Sequence, residues 1–351
     1  MPHQLPPTQR KLPFSSLLES IPDESHEKTF AMLHAEITNF IKKGIGKRVA
    51  STSKSLWTLK HPAEFLSLAT TVARPGADGN WEKLLWSRSY RCALLTGVVM
   101  MLLEKHVFSD LLFGAGLEQA EVLRMEDSSM LNVEGFRRTG LRADTNRVYL
   151  EATGGIPPLF WKRVDSVTAQ ITELLSPLSA AVGGEIVSSS SYQALHDIVA
   201  LAGWLNIAMR VSPKITTFEW VKPGEAYRHG FLSIGEDKQT STVSSESHHR
   251  VRARVMISTT PKITRYVRSS KGFFWGTETY EVMKPHVFTY TGYFRDWEDS
   301  AGGALQGHVR SRLFSSPIRL LALLVNVVRL LALVGLGRGK GLYLSRSFSF
   351  I

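Results

Sequence analysis

The chain has 351 residues, of which 43% are hydrophobic and 21% are charged, and these proportions are ordinary for a globular protein. They exclude a mostly disordered chain, and the length suffices for one large core or two smaller ones. The formal net charge of +11 lies towards the C-terminus, because residues 1–247 hold 26 basic and 26 acidic side chains. The excess comes from residues 248–276 and 300–351, a pattern that indicates contact with the phosphates of a nucleic acid or a membrane.

The first part of the chain predicts a helical domain over residues 25–211. Residues 1–24 are rich in proline and are expected to form a disordered or loosely docked tail. Apolar residues at three- and four-residue steps predict a first helix over 26–43 and a long helix over 81–106. The same periodicity predicts further helices over 117–127, 131–138, 158–175 and 189–210, with Pro177 expected to end the third of these.

Two arginines interrupt the apolar stripe of the helix predicted over 81–106. Arg88 and Arg91 lie among leucine and valine positions, where an unpaired guanidinium group is costly to bury. They therefore need carboxylate or carbonyl partners. Glu118, Glu121 and Glu126 of the following helix are the predicted carboxylate candidates, and ion pairing is favoured over a catalytic role.

The pattern of apolar and polar residues changes after Pro213. Residues 212–299 are predicted to form a β-rich basic and aromatic region packed on the bundle. Residues 250–257 alternate strictly, which predicts a strand with arginines on one face and apolar residues on the other. The fold class predicted is therefore α+β, mostly α. It has a helical bundle followed by a small antiparallel β region and a C-terminal apolar helix.

The basic β segment 250–275 favours nucleic-acid binding as an alternative function, because arginines and aromatic rings on a sheet suit phosphates and stacked bases. The predicted contacts are Arg250, Arg252, Arg254, Arg265, Tyr266, Arg268 and Trp275. The other interpretation places the aromatic rings in the core and pairs the arginines with acidic residues such as Glu278 and Glu281.

Residues 300–351 form a basic apolar tail without any Asp or Glu. Thirteen of the nineteen residues in 318–336 are Leu, Ile or Val, and they predict an amphipathic helix that lies on, or is anchored in, an anionic membrane. The same helix could instead span the bilayer or pack on the protein itself. The predicted membrane contacts are Arg310, Arg312, Phe314, Arg319, Leu320, Leu324, Val328, Arg329, Leu331, Arg338 and Lys340.

No motif in the sequence identifies catalytic machinery, and no cofactor or metal is expected. Gly339-Lys340 resembles the end of a phosphate-binding loop, but Gly341 stands where Ser or Thr is required. His61 and Glu64 have metal-ligand spacing that the start of a helix explains fully. The single cysteine, Cys92, excludes a disulfide framework and a cysteine-based zinc site.

Several short motifs resemble those of a family of filamentous-fungal helical proteins of unknown function. They are Arg88-x-x-Arg91-x-x-Leu94, Val107-Phe108, Leu112-Phe113-Gly114, Trp220-Val-Lys-Pro223-Gly224, the basic strand and Pro261-x-Ile-x-x-Tyr266. The resemblance covers about residues 80–270 and implies no activity.

The sequence thus predicts a cytoplasmic or nuclear binding or scaffold protein that is not secreted and associates with a membrane through its C-terminal helix. Its protein partners are not predicted. Nucleic-acid binding and an enzyme of unidentified class are the alternatives.

Overall fold

The computed structural model describes residues 7–19, 21–45, 55–75, 79–184, 186, 188–237, 253–269 and 276–290. All of these belong to one compact unit. The predicted C-terminal helix 318–336 and every predicted membrane contact lie outside the described residues.

Eight α-helices occur in the described residues, and with the two small sheets they confirm the mostly helical α+β class. The helices are α1 (Asp23–Gly44), α2 (Ala63–Val72), α3 (Trp81–Trp86), α4 (Arg88–Leu103), α5 (Leu117–Ser129), α6 (Gly135–Ala152), α7 (Phe160–Ala181) and α8 (Ser189–Arg210). A π-helical turn, Glu104–Phe108, continues α4. The bundle core lies where α1, α4, α7 and α8 pack together, because their apolar stripes are buried against one another.

Two helix boundaries differ from the sequence predictions. The prediction that Pro177 ends α7 is wrong, because Pro177 lies inside the helix, which continues to Ala181. The helix predicted over 131–138 is also too short, since α6 extends to Ala152. The buried residues Ala143, Asn146 and Leu150 hold that extension against the bundle.

The helix predicted over 81–106 is broken at Ser87, whose φ of −69° and ψ of 125° are extended. Arg91 explains the break. Its fully buried guanidinium group donates to the carbonyl oxygens of Leu85 and Trp86 at the end of α3, and to that of Ile45 after α1. Carbonyl groups at a helix end have no partner within the helix, so Arg91 satisfies two helix ends at once. The carbonyl alternative is therefore confirmed for this arginine.

Glu121 of α5, one of the predicted carboxylate partners, pairs instead with Arg124 of its own helix at 3.3 Å. Glu118 and Glu121 are exposed, and Glu126 is only partly buried on the same helix. These three glutamates therefore remain near the solvent, while the buried Arg91 donates to backbone carbonyl groups.

The described strands form two three-stranded sheets. Strands β1 (Ile215–Glu219), β4 (Lys262–Ser269) and β5 (Gly276–Met283) pair antiparallel in the order β1-β4-β5. Strands β2 (Leu232–Asp237), β6 (His286–Tyr290) and β3 (Arg254–Ser258) form the second sheet, in which β2 runs parallel to β6. The β region is therefore mixed rather than purely antiparallel.

The strict alternation predicted for residues 250–257 does not hold in the part that is described. Strand β3 begins at Arg254, and a bulge between Val255 and Ile257 leaves Met256 buried as well as its two neighbours. A bulge places two residues opposite one, which disrupts the two-residue alternation of side chains.

The N-terminal segment 7–19 is docked, so of the two predicted states the disordered one is wrong for these residues. Leu17 is fully buried in a 3-10 turn, and the Trp204 indole N–H donates to the carbonyl oxygen of Pro13. Arg10 forms a bidentate ion pair with Glu36 of α1. These contacts fix the segment along α1 and α8.

Candidate functional site: an apolar cavity with a cationic rim

A cavity of about 810 Å³ lies between the bundle and the second sheet. Its walls come from α1, from the first half of α4, and from β2 and β6, with Thr259 after β3 closing one side. This volume is within the range of small-molecule binding sites in proteins, which is about 300–1,000 Å³.

Close packing of α4 against the sheet positions these walls. A Cβ atom on Gly97 would lie 2.5 Å from the carbonyl oxygen of Ser258, so only glycine allows this approach. Tyr90 of α4 packs edge-on against Phe288 of β6, with ring centroids 5.7 Å apart. The sheet therefore covers the helix at one end of the cavity while leaving the space beside His34 open.

Apolar groups from three elements line the interior. Cys92 and Ala93 of α4 are buried beside Phe288 of β6. Leu232 and Ile234 of β2 line the same space, and they are 44% and 47% exposed, respectively. Large aliphatic side chains left so accessible beside a cavity favour an apolar occupant, because covering them removes apolar surface from water.

Two cations, Lys42 at the end of α1 and Arg88 at the start of α4, line the cavity and are exposed to solvent. None of the described lining residues is acidic. Ser87, which precedes α4, and Ser89 of its first turn lie beside Arg88, where the helix dipole adds partial positive charge. The rim is therefore electropositive and suited to a negatively charged group.

A pair of stacked histidines spans the cavity wall between α1 and β6. The rings of His34 and His286 have centroids 4.5 Å apart and an interplanar angle of 29°. Burial, followed by the neighbouring His286 and Lys42, lowers the pKa of His34 to about 4. Burial also lowers the pKa of His286, whose buried Nδ1 atom has no hydrogen-bond partner among the described residues. Both rings are accordingly neutral at pH 7.

The thiol of Cys92 remains protonated in this environment. Burial raises the pKa of Cys92, although Arg91, Arg88 and Lys42 act in the opposite direction. A thiol held above its ordinary pKa is a poor nucleophile, because the thiolate is the reactive form. The described side chains therefore favour binding and orienting a molecule over reacting with it.

The residues predicted to bind nucleic acid do not share one face. Arg254 lies in the second sheet and donates to the carbonyl oxygen of Gly224, whereas Arg265, Tyr266 and Arg268 lie on β4 of the first sheet. Arg250, Arg252 and Trp275 lie outside the described residues.

Arg265 is only 2% exposed and pairs with Asp23 of α1 at 2.9 Å. Its guanidinium group also contacts Nδ1 of His26 at 2.8 Å, and it donates to the Ser212 hydroxyl. Burial and the nearby Arg265 lower the pKa of His26 to about 4, so its ring is neutral at pH 7. The prediction that Arg265 belongs to an accessible cationic face is therefore wrong, and this arginine joins β4 to the start of α1.

The sequence predicts Arg88 to be a buried arginine in need of a partner, and that expectation is wrong because Arg88 is exposed at the cavity rim. The other rim residues were missed. Lys42, His34 and His286 carry no local signal, since each falls in an ordinary helix or strand pattern. The one sign of the site in the sequence is the position of Arg88 within an apolar stripe. In the structure this position is the exposed first residue of α4.

No family model, curated protein or solved structure matches the chain, so the resemblance to filamentous-fungal proteins stays a prediction. In the described part of the chain, every helix is too short or too polar to cross a bilayer. The same residues contain no group of three His, Cys, Asp or Glu side chains placed to hold a metal ion.

Proposed function

We propose that the protein binds a small amphipathic anion, such as a fatty-acid-like carboxylate, in the 810 Å³ cavity. The apolar chain of the ligand lies along Ala93, Phe288, Leu232 and Ile234. Its anionic group contacts Lys42 and Arg88 at the rim. The observation that supports this most directly is an apolar interior joined to a rim with two cations and no acidic residue among those described.

The test is a titration of the full chain with dodecanoate, measured by calorimetry. Lys42→Gln and Arg88→Gln are each expected to weaken binding by roughly threefold to tenfold, because each removes one partly solvated charge interaction. Lys43→Gln is the matched control, since Lys43 is exposed on the same turn of α1 but does not line the cavity. Equal affinity for the neutral analogue dodecanol, or equal effects of Lys42→Gln and Lys43→Gln, would overturn the proposal.

Cys92 provides a second readout, because it is the only cysteine of the chain and lines the cavity at 8% exposure. Bound dodecanoate is expected to slow its alkylation by a maleimide at least severalfold, through simple coverage of the thiol. An unchanged alkylation rate at saturating ligand would place the ligand elsewhere on the protein.

We further propose that the basic apolar tail attaches the protein to an anionic membrane, a function compatible with binding lipid-like anions. Support comes from the sequence alone: seven basic residues and no acidic ones in 300–351, around the apolar segment 318–336. Each basic residue near an anionic surface contributes about 1 kcal/mol.

This second proposal is tested by co-sedimentation of the full chain with anionic and neutral vesicles. Replacing Arg310, Arg312, Arg338 and Lys340 together by glutamate is expected to abolish sedimentation with anionic vesicles, with Lys43→Glu as control. Sedimentation of the fourfold variant at the wild-type level would contradict it.

A further inference from the structure

A second, smaller cavity lies at the junction of α6, the end of α8 and β1, on residues that the proposed ligand site does not use. Its volume is about 100 Å³, and Arg142, Arg210 and Lys214 line it together. Phe108 and Phe218 form apolar parts of its wall. Three cations around a space of this size are costly to assemble unless counter-charges or an anion offset their repulsion.

The neighbouring carboxylates offset this charge only in part. Asp127 is shared between Arg138 and Arg142, and Asp23 is shared between Lys214 and Arg265. Two carboxylates thus form ion pairs with four cations. The cluster retains positive charge before Arg210 is considered.

Arg210 adds a fifth cation whose hydrogen bonds go to neutral groups. Its guanidinium group donates to the carbonyl oxygens of Asp110 and Phe108, at 2.9 Å and 2.7 Å. Burial and the nearby Arg142 lower the pKa of Arg210 to about 10, although Asp110 and Asp127 act in the opposite direction. At pH 7 the group remains charged, so its field acts on the cavity.

An unpartnered hydroxyl lies in the same wall. Thr216 of β1 lines the cavity, and its buried Oγ1 atom has no hydrogen-bond partner among the described residues. A buried hydroxyl left without a partner costs free energy, and an oxyanion beside it would accept its proton in a hydrogen bond.

We infer that this cavity is a binding site for a small tetrahedral oxyanion of the phosphate or sulfate class. Arg142, Arg210 and Lys214 supply the charge, and the Thr216 hydroxyl donates one directed hydrogen bond. The small volume selects a free ion over a molecule that carries a phosphate on a larger body. Because the site joins α6, α8 and β1, the bound ion stabilises the contact between the bundle and the first sheet.

The test compares thermal unfolding and calorimetric titration of the full chain in inorganic phosphate, in sulfate and in chloride at equal ionic strength. Phosphate and sulfate are expected to raise the Tm above its value in chloride, because an ion that binds only the native state stabilises it. No difference between the three salts in the wild-type chain would overturn the inference.

Two adjacent threonines give a matched pair of variants. Thr216 and Thr217 both have buried hydroxyl groups without partners among the described residues, but only Thr216 lines the cavity. Thr216→Val is expected to weaken phosphate binding by about tenfold or more, the loss of one hydrogen bond to a charged group, while Thr217→Val leaves it unchanged. Equal effects of the two variants would exclude the cavity as the site.

Charge variants provide the second arm. Arg142→Gln is expected to weaken phosphate binding by at least tenfold, whereas Arg137→Gln, on the exposed side of the same helix, leaves it unchanged. Glucose 6-phosphate is expected to bind at least tenfold more weakly than inorganic phosphate, because its sugar exceeds the cavity. Equal binding of the two phosphates would overturn the assignment to a free ion.

Discussion

At the scale of single residues, buried polar side chains hold the chain where its helices deviate from regular geometry. Asn206 of α8 is fully buried, and its amide donates to the carbonyl oxygens of Val107, Phe108 and Asp110. Its carbonyl oxygen accepts from the backbone N–H of Phe113. One side chain therefore satisfies backbone groups that the π-helical turn and the following loop leave free.

Asn206→Leu is expected to lower the free energy of unfolding by roughly 3 to 5 kcal/mol, because buried backbone groups of Val107 and Phe113 lose the amide that bonds to them. Urea denaturation at pH 7 measures the change. Gln193→Leu in the first turns of the same helix is the control, and its effect is expected to stay below about 1 kcal/mol, since its contacts with Thr8 are exposed. Similar losses in both variants would contradict the role assigned to Asn206.

At the scale of elements, the close contact between α4 and β3 sets the distance between the helix and the sheet that supply walls of the larger cavity. Helix α4 approaches the strand so closely at Gly97 that backbone meets backbone, with Val72 of α2 also within van der Waals distance. Backbone atoms have less freedom to move aside than side-chain ends. A larger residue at this position must therefore displace the sheet from the helix.

Gly97→Ala is expected to destabilise the protein by about 2 kcal/mol despite the better helix propensity of alanine, and to weaken dodecanoate binding. Gly140→Ala is the control, because Gly140 lies inside α6, where an added methyl group would meet no neighbouring element within 4 Å. That change is expected to stabilise the protein by about 0.5 to 1 kcal/mol. Stabilisation by both substitutions, measured by urea denaturation, would refute the close approach.

At the scale of the whole molecule, burial of neutral histidines links stability to pH. Burial lowers the pKa values of His26 and His34 to about 4, and it also lowers those of His61, His196 and His286. In the unfolded chain these groups take up protons near pH 6.5, whereas the folded chain resists protonation. The unfolded state therefore binds more protons between about pH 6.5 and 4, and stability falls as the pH falls through that window.

The free energy of unfolding is accordingly expected to decrease from pH 6.5 towards pH 4, by on the order of 3 kcal/mol for His26 alone. Urea denaturation at a series of pH values measures the slope. His26→Gln is expected to reduce the slope of unfolding free energy against pH by the contribution of up to one bound proton. Glutamine does not titrate and keeps a side-chain oxygen beside Arg265. A slope identical to that of the wild-type chain would contradict the burial of a neutral imidazole at this position.

Local residue patterns suffice for the fold class and for the bounds of several helices. Helix α8 has the predicted bounds 189–210, and α1 and α5 differ from prediction by at most a few residues. Their apolar residues recur at helical spacing, so the pattern of each helix is contained in its own residues. Predictions for residues 318–336 stay predictions.

Tertiary contacts determine the break at Ser87, the carbonyl partners of Arg91 and the composition of both cavities. His34 and His286 stack although about 250 positions separate them in the chain. Arg142 of α6 and Arg210 of α8 line the same small cavity. Periodicity reports which face of an element is buried, but it carries no information about which distant element covers that face. Sites formed from such contacts become visible only when the helices and sheets are packed together.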